Sequence, residues 1–265
     1  MTWLPVEPSR DAPLRLFCFP HAGAGAGAYR PWSATLGRAG IDVCPVQPPG
    51  REGRFREAPY DAVGPLVDDL APVLEPYLDR PYALFGHSMG ALIAFELAHR
   101  LRGIAAPVHL FVSGRIAPQL RDPRPRMYDL PDAQLIARLR ALGGIPSGLL
   151  DARELIAMQL PLLRADLALN ERYEYRPVPP LAVPLSAYGG VSDPKVSADE
   201  LRAWHEQTTG LFRVQLLAGG HFFVQTAQPV LLRSLTAALY HAADELRGRT
   251  RPAHRAVGAD SRLAG

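Results

Sequence analysis

The sequence predicts an α/β fold, a mainly parallel central sheet with helices on both faces and a helical insertion. Three observations carry this. Short apolar runs bounded by turn residues alternate with stretches of helical periodicity, which is the pattern of a sheet covered on both sides. The alternation stops between about 115 and 176, where only helical patterns occur. The chain has 265 residues, 48% of them hydrophobic, enough to bury one large core.

Taken in order, strands are expected at Leu14 to Phe19, Ile41 to Val46, Tyr82 to Phe85, Val108 to Val112, Leu185 to Tyr188 and Phe212 to Leu217. Between them, helical spacing of apolar residues predicts helices at Val63 to Leu78, Ala91 to Arg102, Ser197 to Gln207 and Pro229 to Leu246. Strands joined by helices run parallel, and ligands of such sheets sit at the carboxyl ends of the strands. Within the insertion, Ala133 to Leu139 and Leu155 to Leu163 read as helices separated by Gly143-Gly144-Ile145-Pro146, and Arg176-Pro177-Val178-Pro179-Pro180 returns the chain to the sheet. The insertion is either a packing subdomain or a lid over a site. Its place between the candidate nucleophile and the candidate acid described below favours a lid. One domain is therefore expected over 1–246 with the insertion at about 115–176, followed by a basic, disordered tail at 247–265.

Charge and cysteine usage remove several function classes. The net charge of +3 resides in the tail, where Arg247, Arg249, Arg251, Arg255 and Arg262 face only Asp260, so the body is slightly acidic. A tail of that composition reads as a solvated end rather than a nucleic-acid arm. The first residues lack a signal-peptide pattern, and no apolar run is long enough to span a bilayer. The reading is a cytoplasmic, monomeric protein with no nucleic-acid or membrane partner. Cys18 and Cys44 lie in apolar runs and read as buried thiols rather than a disulfide or metal pair.

The chemistry is announced by Gly86-His87-Ser88-Met89-Gly90, which fits G-x-S-x-G between an apolar strand and a helix. This pattern sets a serine hydroxyl on a strained strand-to-helix turn, the nucleophile elbow of α/β-hydrolases. Ser88 then needs a base and a group to orient it. The chain order on this fold is Ser, Asp or Glu, then His, which discards His21 and leaves the His87 side chain to point elsewhere. His99, His109, His205 and His241 fall in helices or a strand and read as structural, and His254 lies in the tail. His221 follows the last strand in Ala218-Gly219-Gly220-His221-Phe222-Phe223 and is the candidate base. Asp193, in the loop after the preceding strand, is the candidate orienting acid. Taken alone, it reads equally well as a turn residue before Pro194.

An oxyanion on the attacked carbonyl needs two preorganised N–H donors, one from the residue after the nucleophile and one from the loop after the first strand. These are assigned to the backbone N–H groups of Met89 and Ala22. The glycines at Gly23-Ala24-Gly25-Ala26-Gly27 raise a competing reading, a dinucleotide phosphate loop, but their spacing is wrong and no acid ends the second strand.

Together these motifs resemble the type II thioesterases, discrete α/β-hydrolases that accompany polyketide synthases and nonribosomal peptide synthetases. The resemblance rests on Phe19-Pro20-His21-Ala22-Gly23, Gln47-Pro48-Pro49-Gly50-Arg51-Glu52, Phe85-Gly86-His87-Ser88-Met89-Gly90-Ala91, Leu142-Gly143-Gly144, Leu163-Arg164-Ala165-Asp166 and Gly219-Gly220-His221-Phe222. It implies a thioesterase that uses no cofactor. The implied substrate is an acyl chain on the phosphopantetheine arm of an acyl or peptidyl carrier protein, the implied task removal of stalled or aberrant acyl groups, and the insertion a mobile lid. Ala24 and Ala26 depart from the commoner pattern without removing a backbone donor. Arg124 and Arg126, in Arg121-Asp122-Pro123-Arg124-Pro125-Arg126, are candidate contacts to the carrier or the arm's phosphate, with a solvated face as the equal alternative. An acyltransferase or general carboxylesterase with the same triad, and a non-catalytic carrier-binding module, are the competing readings.

Overall fold

The structure, a computed structural model, describes residues 2–143 and 153–250. Six strands, β1 (Leu14–Phe19), β2 (Ile41–Pro45), β3 (Tyr82–His87), β4 (His109–Ser113), β5 (Leu185–Gly190) and β6 (Phe212–Leu217), form one sheet in the order β2-β1-β3-β4-β5-β6. Every neighbouring pair is parallel. The helices are α1 (Trp32–Leu36), α2 (Val63–Leu74), α3 (Met89–Arg100), α4 (Asp132–Ala141), α5 (Arg153–Glu171), α6 (Ala198–Arg202), α7 (Phe223–Thr226) and α8 (Gln228–Thr250).

Because successive strand side chains point to opposite faces, the buried strands feed two cores. Phe17, Phe19, Leu84, Leu110, Val112 and Leu185 pack with α2, α3 and α6 on one face. Leu16, Cys18, Phe85, Phe111 and Tyr188 pack with α1, α7 and α8 on the other. Cys18 and Cys44 are free thiols and belong to opposite cores, so the sheet itself separates them. The insertion has a smaller core of its own, with Leu135 and Leu139 from α4 against Ile156, Leu160 and Leu167 from α5, while Leu169 joins the main core.

Several boundaries differ from those the periodicity predicts. Helix α2 stops at Leu74 and continues only as a 3-10 turn through Tyr77, since Pro76 has no N–H to extend the ladder. Strand β3 runs on to His87, and α3 begins directly at Met89 with Ser88 as its N-cap. Strand β5 extends to Gly190, which pairs with Leu217. Helix α8 continues through Thr250 into the segment expected to be tail; residues 251–265 lie outside the described residues, as do Gly144, Ile145 and Pro146 of the expected separator.

Candidate active site

Ser88 sits in a backbone conformation that its side chain disfavours, φ 54 and ψ −113. Such strain persists only where the surroundings over-determine it. Here the flanking glycines are structurally required: a Cβ on Gly86 would lie 1.9 Å from the Gly90 carbonyl oxygen, and one on Gly90 2.0 Å from that of Phe19. The Ser88 N–H donates to the Ser113 carbonyl at 2.7 Å, tying the elbow to the end of β4.

The loops after β5 and β6 bring the other two candidates to the same sheet edge. Ser192 N–H donates to the Gly219 carbonyl at 3.0 Å, and Gly219 turns with φ 121. His221 is 5% exposed and the Asp193 side chain is fully buried. His221 Nδ1 lies 2.8 Å from Asp193 Oδ2, and its Nε2 lies 3.2 Å from Ser88 Oγ. A carboxylate on Nδ1 selects the Nδ1–H tautomer, leaving Nε2 as acceptor for the serine hydroxyl. The other Asp193 oxygen accepts the Lys195 N–H at 2.8 Å, so the turn role and the orienting role are filled by different oxygens of one carboxylate.

His87 points away from Ser88, as the chain order predicts, but it borders the site. Its ring centroid is 5.2 Å from that of His221, and its Nδ1 is 3.0 Å from Ser113 Oγ. Burial holds the His87 pKa well below the ordinary histidine value, with the neighbouring His221 and His21 acting in the same direction. Burial likewise lowers that of His21 to about 4, helped by His221 and Arg51. Neutral imidazoles therefore surround His221 at physiological pH.

The Ala22 and Met89 N–H groups have no acceptor among the described residues, which leaves both available to an oxyanion. Three further N–H groups of the glycine-rich loop are committed inward. Gly23 N–H donates to Asp166 Oδ2 at 2.7 Å, Ala26 N–H to Gln47 Oε1 at 2.9 Å and Gly27 N–H to Glu52 Oε1 at 3.1 Å. A Cβ on Gly25 would lie 2.6 Å from the Glu52 carboxylate carbon and one on Gly27 2.9 Å from Glu52 Oε1, so the Glu52 carboxylate occupies the space that side chains at these two positions would take. Glu52 itself holds φ 46 to reach there. These three donors are therefore not available to cradle a phosphate.

Residue-type reasoning alone does not find Gln47, Arg51, Glu52 and Asp166 as parts of the site; the unusual Gln47-Pro48-Pro49-Gly50-Arg51-Glu52 segment is the available signal for the first three, and Leu163-Arg164-Ala165-Asp166 in the insertion for the fourth. Arg124 is drawn into ion pairs at 2.9 Å with Asp122 and Glu200, whereas Arg126 is exposed. Both border a cavity of about 1230 Å³ lined almost entirely by the insertion, from Arg115 onward, with Pro194 and Lys195 completing its wall. Among the described residues no group of three or more His, Cys, Asp or Glu could hold a metal ion, and no helix is long and apolar enough to cross a membrane.

Comparison with known proteins places this geometry among relatives. The thioesterase-domain family matches residues 14–239. Gramicidin S biosynthesis protein GrsT of Aneurinibacillus migulanus is 44% identical over 215 residues, 80% of this chain and 84% of that protein. Linear gramicidin dehydrogenase LgrE of Brevibacillus parabrevis is 43% identical over 249 residues, 88% and 94% of the two chains. The solved structure of RedJ, the thioesterase of the prodiginine pathway of Streptomyces coelicolor, superposes with a TM-score of 0.82 at 43% identity, covering 86% of this chain and 91% of that one.

Proposed function

The chain belongs to the thioesterase-domain family, and on that footing we propose that it hydrolyses acyl thioesters carried on the phosphopantetheine arm of a carrier protein, clearing stalled or aberrant acyl groups from a polyketide or nonribosomal peptide assembly line. The observation that carries the catalytic part is the relay from Asp193 through His221 to Ser88, at 2.8 and 3.2 Å.

In this mechanism Ser88 Oγ attacks the thioester carbonyl while its proton passes to His221 Nε2, and Asp193 stabilises the imidazolium through Nδ1–H. The carbonyl electron pair becomes an oxyanion held by the Met89 and Ala22 N–H groups. Collapse breaks the C–S bond, and the thiol leaves with the proton from His221. A thiol of pKa ~8.5 is a better leaving group than an amine, so little further acid catalysis is needed. Water then attacks the acyl-Ser88 ester with His221 as base, releasing the acid and restoring Ser88.

The insertion acts as a lid in this reading, and Arg126, with Arg124 beside it, contacts the acidic carrier or the arm's phosphate. The dehydrogenase named for one relative is not carried over to this chain, whose glycine-rich loop after β1 spends the N–H groups of Gly23, Ala26 and Gly27 on Asp166, Gln47 and Glu52. Family membership favours water over an alcohol or amine as acyl acceptor. A panel of acyl carriers of graded chain length, assayed with wild type and Ser88→Ala, tests the assignment: wild type releases free acid and the variant loses several orders of magnitude. Absence of thioester cleavage by wild type across the panel overturns it.

A further inference from the structure

The Ala22 N–H is aimed by a chain of contacts that begins on the insertion. A trans peptide is planar with its N–H and C=O antiparallel, so holding the His21 carbonyl on one side sends the Ala22 N–H to the other. That carbonyl accepts from Ala24 N–H at 3.0 Å. The Ala24 carbonyl accepts from Arg51 Nη1 at 3.2 Å, and the next peptide is held by Gly23 N–H donating to Asp166 Oδ2 at 2.7 Å. Asp166 and Arg51 close the circuit with two parallel bonds of 2.7 Å. Arg51 Nε also donates to Pro49 O at 3.1 Å, fixing the guanidinium in its own loop.

Asp166 lies on α5, so the circuit joins three pieces of chain distant in sequence. The same helix face seats its leucines on two glycines with positive φ. A Cβ on Gly23 would lie 2.6 Å from Leu163 Cδ2, and one on Gly50 3.1 Å from Leu162 Cδ1. Both charged side chains are nearly inaccessible, Asp166 at 1% and Arg51 at 5%.

A buried ion pair is a poor device for stability, because well-packed apolar residues of similar volume serve as well or better. Its advantage is direction: a bidentate fork fixes angles that apolar contacts leave free. Resting on the thioesterase reading and on Ala22 as an oxyanion donor, we propose that Asp166, acting through Arg51 and Gly23, is a positioning residue for the oxyanion hole, so that the hole is complete only when the insertion helix is seated on the core.

The test compares wild type, Asp166→Asn and the apolar double variant Arg51→Met/Asp166→Leu. The readouts are thermal midpoint, kcat and KM on an acyl-carrier substrate, and affinity for an alkyl boronic acid that forms a tetrahedral adduct on Ser88. Misdirecting one oxyanion donor is expected to lower kcat and boronate affinity together by roughly 10²-fold, with KM within about threefold. The double variant is expected to recover the thermal midpoint while kcat and boronate affinity stay low, which separates aiming from folding and answers for any instability of the single variant. A double variant that regained activity along with stability, or an Asn variant that held the boronate as tightly as wild type, overturns the assignment. Boronate binding requires no turnover, so a wild type that cleaved no carrier thioester would refute the proposed substrate while leaving the Asp166 comparison readable.

Discussion

Gly190 and Gly220 meet backbone to backbone: a Cβ on Gly190 would lie 2.3 Å from the Gly220 carbonyl oxygen and 2.6 Å from that of Gly219. This contact lets the loop bearing Asp193 and the loop bearing His221 lie against each other. A Gly190→Ala substitution must push them apart, since neither obstacle is a flexible side chain. Misplacement of about 1 Å in a catalytic constellation costs on the order of 10² in rate. Gly190→Ala is therefore expected to lower kcat about 10²-fold with carrier affinity retained, measured by steady-state kinetics beside carrier titration. Undiminished kcat would show that the loops tolerate separation.

Asp193→Asn removes the charge that sets the His221 tautomer while keeping the side chain's shape. The amide would present either an N–H that cannot accept from Nδ1–H or an oxygen without the carboxylate's charge. A fall in kcat of about 10⁴ is expected, with a thermal midpoint close to wild type because the oxygen bonded to the Lys195 N–H can be conserved. A loss below tenfold would remove Asp193 from the triad.

Ser113→Ala separates packing from catalysis beside the nucleophile. Ser113 Oγ is the side-chain partner of His87 Nδ1, and His87 Nε2 has no hydrogen-bond partner among the described residues, so the variant removes the one side-chain partner of a fully buried imidazole. The cost is about 1–3 kcal/mol. The Ser88 N–H bonds to the Ser113 backbone, which the substitution leaves in place. Chemical denaturation should report the loss, and kcat should change less than about tenfold.

Stability should decline on acidification through a histidine remote from the site. His109 lies at the start of β4, stacked on Phe111 at 4.1 Å with its Nε2 2.9 Å from Ser186 Oγ. Burial, then the charges of Arg213 and His241, lowers its pKa to about 4. Between the unfolded value near 6.5 and about 4, the unfolded chain binds the proton and the folded chain does not, so stability is full above pH 6.5 and falls below it. Urea unfolding at pH 7.5 and pH 5 should differ by up to about 2 kcal/mol from this group, a difference that His109→Gln should shrink. An equal pH dependence in the variant would assign the effect elsewhere.

Elements whose pattern is local were readable from residues alone. The buried strand β1 begins and ends where its apolar run does, because a strand covered on both faces has no other place for those residues. The G-x-S-x-G elbow was equally legible, its glycines being demanded by backbone contacts only a few residues or one strand away. The longer reach of β3 and β5 was not, since Gly86, His87, Gly189 and Gly190 have no strand propensity and extend only because a neighbouring strand pairs with them. Nor was the partnership of Arg51 with Asp166, whose residues stand far apart in the chain and meet only once the insertion is docked.

By itself the sequence determined the fold class and the family and singled out Ser88 and His221 as candidate nucleophile and base, because periodicity and short motifs are properties of neighbouring residues. The tertiary structure alone decided which N–H groups of the glycine-rich loop remain free, which carboxylate oxygen of Asp193 faces His221, and that Arg124 is drawn into ion pairs with Asp122 and Glu200. Those outcomes depend on directions and distances between segments separated by tens of residues, and only packing fixes them.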